Sequence, residues 1–364
     1  MSEGEYDIAS VIPHWYTFLM QQQLQLQTPL EFHRAFLRAA SGAQKSVWLQ
    51  SMALDPGPFI DEMMVVIQKK AREGLDVRIT IDWLCEQYFE GKFDYLPYFN
   101  VTRFTGKRAF QKRRRQLLEA LSQSGCQITF TNTPHRLLAP IPQLGRNHTK
   151  MYLIDGQIGW IGGLNLLPSS FHTYDGMVQI HDQKFLTALT QHYGEVNKHR
   201  PSTNYSVQLA DDYRLLFDNG TRAHSLIYDE AIASTHLAKK EIILISQLVP
   251  SGRLLSALLK KAVTLPVTFI TSSPKDDLFT AFIPKILYKN FLRDIKKLPL
   301  FKIVHVDRKV HLKLLIIDQK ESFFGSHNLS EVGVQLGTEE IMLHSSDAVF
   351  AASLLQLARR MGLL

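Results

Sequence analysis

Two stretches of this chain repeat one pattern in one register. GRNHTKMYLIDGQIGWIGGLN carries His148, Lys150, Asp155, Gly162, Gly163 and Asn165. RKVHLKLLIIDQKESFFGSHN carries His311, Lys313, Asp318, Gly325, Ser326 and Asn328, each 163 residues after its counterpart. Chemically distinctive residues matched at one fixed offset mark a duplication, and a duplicated chain must build two like units.

A weaker pair precedes each motif. AQKSVWLQS from Ala43 resembles AKKEIILIS from Ala238, and each leads through an amphipathic stretch (Phe59 to Glu73, Arg253 to Ala262) to a second apolar run, LDVRITID at Leu75 or LPVTFITS at Leu265. Strand, helix, strand is the unit of a parallel sheet. The fold class expected is therefore α/β, with two mixed or largely parallel sheets, flanking helices and a site between the halves. From Val77 to His148 is 71 residues, whereas Val267 to His311 is 44, so the first half carries an insertion, placed near 85–130. The expected organisation is an N-terminal extension 1–28, a first half 29–196, a polar Pro- and Gly-containing connection 197–222, and a second half 223–364.

Charge locates one further element. The chain has 41 Lys+Arg against 34 Asp+Glu, a net charge of +7. RFTGKRAFQKRRR contributes seven cations and no acid: Arg103, Lys107, Arg108, Lys112, Arg113, Arg114 and Arg115. The rest of the chain is neutral, and this one segment of the insertion reads as a site for polyanions, either lipid head groups or a nucleic-acid backbone. Two cysteines, Cys85 and Cys126, exclude a disulfide framework and fit a reducing compartment. Neither a basic and apolar leader nor an eighteen-residue apolar run is present, so a cytoplasmic protein, peripherally associated with membrane, is expected. In DDLFTAFIPKILYKNFLRDIKK the apolar spacing through Phe291 and Ile295 reads first as core packing, with a membrane-contacting helix as the alternative.

In each motif His and Lys lie two apart in an alternating apolar run, which reads as a strand presenting imidazole and ammonium on one side. Asp155-Gly156 is a hairpin signal, and the small residues before Asn165 and Asn328 permit close approach to a ligand. Two histidines, two lysines and two asparagines suit phosphodiester transfer. One imidazole attacks phosphorus and the other protonates the leaving alcohol, while lysines and amides hold the phosphate oxygens. No metal and no cofactor is expected.

The pattern H-x-K-x4-D, followed by Gly-Gly or Gly-Ser and Asn, resembles that of the phospholipase D superfamily, and the resemblance extends over nearly the whole chain from Pro29. It implies His148 as nucleophile and His311 as general acid, with Lys150, Lys313, Asn165 and Asn328 around the phosphate. Members also keep an acidic residue after each motif that hydrogen-bonds the histidine. Asp175 and Glu339, 27 and 28 residues beyond His148 and His311, are the candidates, with Glu340 able to substitute for Glu339. Asp155 and Asp318 are intact and can organise a turn as well as touch substrate. IDGQIGWIGGLN and the opening FLRAASGAQKSVWLQSMALDPGPFIDEMM look like the bacterial cardiolipin synthase branch, whereas GSHNLS is common in nuclease-like members. The resemblance thus implies a phosphatidyltransferase or phospholipase D with a phospholipid substrate and an anionic membrane surface as partner. A metal-independent nuclease acting on nucleic acid is the alternative enzyme, and a noncatalytic binding protein the third reading.

Overall fold

The computed structural model of the protein describes residues 23–83, 88–89, 92–93, 101–133, 145–196, 203–273 and 282–364, with the backbone course alone for 88–89, 92–93, 101–108, 196 and 282–287. The first half runs β1 (Leu24–Gln27), α1 (Pro29–Gly42), β2 (Ser46–Ser51), α2 (Ile60–Arg72), β3 (Asp76–Asp82), the short strands β4 (Tyr88–Phe89) and β5 (Lys92–Phe93), α3 (Val101–Gln123), β6 (Gln127–Thr131), β7 (Met151–Ile154), β8 (Ile158–Gly162), β9 (Met177–Ile180) and α4 (Gln183–Val196). The second runs β10 (Tyr205–Ala210), β11 (Tyr213–Asn219), α5 (Leu226–Leu237), β12 (Ile242–Ile245), α6 (Gly252–Lys261), β13 (Val267–Ser272), α7 (Phe282–Ile295), β14 (Phe301–Val306), β15 (Leu314–Ile317), β16 (Glu321–Gly325), α8 (Glu331–Leu336), β17 (Glu339–Ser345) and α9 (Ala348–Arg360).

Local chemistry explains several boundaries. Thr28 caps α1 by accepting from the Glu31 amide, while the Glu31 carboxylate accepts from the Thr28 amide, and Pro29 opens the helix where no amide is needed. The runs MYLI and LLII, apolar at every position, become β7 and β15, buried on both faces.

The strands form two large sheets ordered β1-β9-β8-β7-β2-β3-β6 and β10-β11-β17-β16-β15-β12-β13-β14. Six strands of one match six of the other in order and direction, β9-β8-β7-β2-β3-β6 against β17-β16-β15-β12-β13-β14. Both sheets are mixed: only β2-β3-β6 and β12-β13-β14 run parallel, where helices cross over, and the remaining neighbours are antiparallel. Of the two forms expected, the sheets take the mixed one, because each His-x-Lys motif opens a hairpin instead of a crossover.

The boundaries between halves also shift. Residues 197–222 are not a simple connection, since Tyr205–Ala210 and Tyr213–Asn219 form a hairpin whose second strand pairs with β17 and extends the second sheet. Leu24–Gln27, assigned to the extension, is likewise the edge strand of the first sheet, paired with β9. Alternation carries both: Tyr213, Leu215 and Phe217 are buried in the core that the two halves share.

That shared core unites Met151, Leu153, Ile161 and Val178 with Leu215, Phe217, Leu314 and Ile316, and α4 and α9 contribute Leu186, Leu189, Leu354 and Leu357 to it. A second core lies between the first sheet and α1 and α2, and a third between the second sheet and α5, α6 and α7. Phe291 and Ile295 belong to the third, as the core reading expects. No helix among the described residues is long and apolar enough to cross a membrane.

Asp155 and Asp318 sit in the hairpin turns at the sheet ends opposite the histidines. Their φ angles of 55° and 56° lie in the left-handed region that Asp tolerates better than most residues. The Asp155 carboxylate accepts from the amides of Gln44, Lys45 and Ser46, and Asp318 from those of Lys239, Lys240 and Glu241. Partial burial pushes each carboxyl up, but the amide donors outweigh it and hold each below its ordinary value. These two residues are therefore corrected from catalytic candidates to clasps that tie β2 and β12 to the hairpins. Replacing either with Ala is expected to cost about 2 kcal/mol in denaturant unfolding and to leave soluble-diester turnover unchanged. The same contribution should fade as pH falls below the usual carboxylate range, since protonation removes the acceptor.

Candidate active site

Each motif enters its strand through an extended segment that pairs with the opposite half. The His148 amide donates to the Glu339 carbonyl and the Glu339 amide to the Arg146 carbonyl. In mirror fashion the His311 amide donates to the Tyr174 carbonyl and the Tyr174 amide to the Lys309 carbonyl. His148 and Lys150 thus precede β7, and His311 and Lys313 precede β15, one step earlier than the sequence pattern implies.

This exchange decides which acid serves which histidine. In an extended chain the residue after the bridging one points the other way, so Asp175 follows Tyr174 into the site and Glu340 follows Glu339. Asp175 Oδ2 lies 2.7 Å from His311 Nδ1, and Glu340 Oε1 2.9 Å from His148 Nδ1. Each half therefore supplies the acid for the other half's histidine. Glu339 is corrected: its backbone forms the bridge while its buried carboxyl, pushed up to about 8 by burial, Asp82 and Glu340, faces away from the imidazole. The signal that could have found Glu340 is the equivalence of the two bridges, not the spacing from the histidine.

Small residues make room for these acids. A Cβ on Gly163 would lie 2.1 Å from Asp175 Oδ1, and on Gly162 it would lie 2.3 Å from the Gly176 carbonyl. The position equivalent to Gly163 holds Ser326, whose hydroxyl donates to Glu340. Asn165 and Asn328 are anchored by equivalent serines at the ends of β2 and β12. Ser51 Oγ donates to the Ala53 carbonyl and lies 3.4 Å from Asn165 Oδ1, and Ser246 Oγ donates to the Asn328 carbonyl. Sequence reasoning aligned these two serines within the weaker repeat without seeing this task.

The lysines are almost wholly buried. Lys150 Nζ donates to the His148 carbonyl and Lys313 Nζ to the His311 carbonyl, which holds both ammonium groups beside their histidines. Burial lowers Lys150 to about 7 and Lys313 to about 8, each with nearby acids resisting. Burial also lowers His148 to about 4 against the pull of Glu340, and drives His311 well below its ordinary value, with Lys313 adding to the effect. The partners differ. Burial raises Asp175 to about 7 despite Lys313, whereas at Glu340 burial is overridden by His148 and falls to about 2.

Burial thus favours the neutral form of both imidazoles. At His148 the ionised Glu340 fixes the proton on Nδ1 and leaves Nε2 with its lone pair, the tautomer a nucleophile needs. Paired ammonium groups in a dry setting await an anion.

The basic segment divides. Arg114 is buried and forms an ion pair with Asp55, so it is corrected from the anionic-surface set. Lys112, Arg113 and Arg115 are exposed on α3. The side chains of Arg103, Lys107 and Arg108, and Cys85, lie outside the described residues. Cys126 is buried.

Two outcomes test the geometry. Gly163→Ala should displace Asp175 and lower turnover by about 10² or more through loss of His311 orientation, whereas Ser326→Ala, which leaves the pair in place, should cost far less. For a soluble diester, kcat/KM should fall as pH rises through the lysine values of about 7 and 8, because deprotonation removes the charge that receives phosphate. The kcat limb should lie higher, since bound phosphate retains those protons. A flat alkaline profile in kcat/KM would show that the lysine charges are not needed.

Residues 36–196 match the family model described as cardiolipin synthase, PLD-like domain. No curated protein matches the chain. Among solved structures, phosphatidylserine synthase from Haemophilus influenzae Rd KW20 is similar over 93% of this chain and 86% of its own, with 14% identity and a TM-score of 0.65. Polyphosphate kinase from Porphyromonas gingivalis is similar over 98% of this chain and 53% of its own, with 11% identity and a TM-score of 0.58. Both likenesses are of fold. The first half thus matches that domain, and its strand order and His-x-Lys site recur in the second half.

Proposed function

We propose that this protein is a phosphatidyltransferase or phospholipase D-type phosphodiesterase acting on glycerophospholipids through a covalent phosphohistidine. The observation that carries the reading is the pair of neutral imidazoles, each held at Nδ1 by a carboxylate from the opposite half and each beside a buried lysine.

A phosphodiester anion entering this site meets two ammonium groups that burial has made eager for a counter-charge. His148 Nε2 attacks phosphorus, the N–P bond forms, and the P–O bond to the first alcohol breaks. The His311–Asp175 pair supplies the proton for the departing oxygen. Asp175, titrating near neutrality, lets that pair hold a proton that the strongly ionised Glu340 does not share with His148. In the second step an acceptor hydroxyl gives its proton to His311, its oxygen bonds to phosphorus, and the N–P bond breaks. Water as acceptor gives hydrolysis and a lipid hydroxyl gives transfer.

The lipid assignment is supported by the description of the matched domain model and by the phosphatidylserine synthase likeness in fold. His148→Ala and His311→Ala are each expected to lower phosphatidylglycerol turnover by at least about 10⁴, with EDTA without effect. Rapid quenching of His311→Ala with a good leaving group should trap phosphate on His148, read by intact mass. Cleavage of single-stranded DNA with no lipid product would move the enzyme to nucleic acid. Full activity in either histidine variant would end the two-histidine mechanism.

A further inference from the structure

The basic helix α3 stands in a defined place relative to the catalytic loop. Its C-terminal half packs on the first sheet through Leu117, Leu118 and Leu121. At Arg114 it is pinned: the guanidinium donates through Nε and Nη2 to Asp55 Oδ1, both side chains being almost fully buried. The Asp55 amide in turn donates to the Leu166 carbonyl at 2.9 Å, and Leu54 and Leu166 form a bridge. Leu166 follows Asn165, and both are tied to Ser51. A buried ion pair therefore fixes the basic helix to the loop that carries a catalytic asparagine. The second half has no counterpart, since Pro250 stands where Asp55 does in the weaker repeat.

Direction matters as much as attachment. α3 ends just before β6, at the sheet end far from the site, so it runs toward its own N-terminus in the direction of the site. Arg114 already lies level with the Asn165 loop. The thirteen helical residues before it, Val101 to Arg113, extend about 20 Å further at 1.5 Å each. Lys112, Arg113 and Arg115 are exposed on either side of the buried Arg114, and Lys112 and Arg115 share one solvent-facing stripe of the helix with Gln111, Gln116 and Glu119. Two cations and two amides against one carboxylate suit an anionic head group.

We infer that the exposed basic face of α3 around Lys112, Arg113 and Arg115 is a docking element for an anionic phospholipid surface, and that the Arg114–Asp55 pair holds it in register with the active site so that docking brings the catalytic end of the sheets to the membrane. This rests on the lipid reading above, and it adds the surface and the residue pair that orients it. Arg114 and Asp55 are positioning residues in this account, and the exposed cations supply the attraction.

The test uses the full-length protein and vesicles of phosphatidylglycerol mixed with phosphatidylcholine, or of phosphatidylcholine alone, read by flotation. Wild type should bind the mixed vesicles, release them as salt rises and ignore the neutral ones. Lys112→Gln/Arg113→Gln/Arg115→Gln should weaken that binding about hundredfold, roughly fivefold per cation near an anionic surface, and leave turnover of bis(p-nitrophenyl) phosphate within about twofold. Arg114→Leu/Asp55→Leu, which exchanges the pair for apolar groups, should keep vesicle binding and lower the ratio of vesicle to soluble-diester turnover about tenfold, a split that general destabilisation does not produce. Retained vesicle binding in the triple variant overturns the docking surface, as does binding that is indifferent to salt. Wild-type binding to single-stranded DNA in preference to vesicles, lost in the triple variant, assigns the surface to nucleic acid and also overturns it. An unchanged turnover ratio in the Leu pair overturns the coupling. Vesicle binding without phospholipid turnover, in vesicles or mixed micelles, would end the lipid reading and leave the docking surface standing.

Discussion

Everything in the site depends on two carboxylates crossing from one half to the other. Asp175 leaves the first sheet to hold His311, and Glu340 leaves the second to hold His148. An imidazole at a catalytic centre needs a partner at Nδ1 to fix its tautomer and its aim. Here that partner can arrive only if the two sheets sit in one register. The backbone bridges at Asn147 and Glu339 and at Tyr174 and Val310 set that register, and the shared apolar core holds it. Neither half carries a finished histidine pair alone, so the fold and the site are specified by the same contacts.

The second constraint is the burial of Lys150 and Lys313 in surroundings too dry for free ammonium groups. Removing a charge from water costs several kcal/mol, and the cost is only partly offset by each lysine's donation to the histidine carbonyl beside it and by the acids across the interface. A site built this way is incomplete without an anion. Phosphate satisfies it, and the stabilisation it brings is delivered where negative charge is concentrated during transfer. Neutral imidazoles and depressed lysines are two consequences of one dry pocket.

Much of this was legible in the residues. The fixed offset of His148, Lys150 and Asn165 from His311, Lys313 and Asn328 gave the duplication and the site membership, because such residues cannot recur in register for reasons of packing alone. What stayed hidden involved partners chosen by three-dimensional register. Spacing from the histidine favoured Glu339, one residue from the acid that reaches it, because only the cross-half bridge tells which of two adjacent glutamates points inward. Asp155 and Asp318 are as regular in the motif as the lysines, yet they hold turns, and a repeat preserves a clasp as faithfully as a catalyst. Arg114 shares its run with solvent-facing cations, and nothing short of the position of Asp55, 59 residues earlier, separates it from them. Tyr205–Ala210 reads as polar linker because a strand at a sheet edge keeps one face in solvent.

The halves also differ where the chemistry asks for difference. Phosphoryl transfer through an imidazole needs one histidine free to attack and another able to deliver a proton, and two identical sites would do neither well. The duplicated frame supplies like backbones, while the surroundings of the two acids differ. At one acid the neighbouring position is Gly163, which leaves Asp175 room and no hydroxyl. At the other it is Ser326, whose hydroxyl donates to Glu340. Burial raises Asp175 to about 7, while at Glu340 burial is overridden by His148 and the carboxyl lies at about 2. In the mechanism proposed, that difference between the two acids lets one histidine keep a free Nε2 for attack while the other delivers a proton.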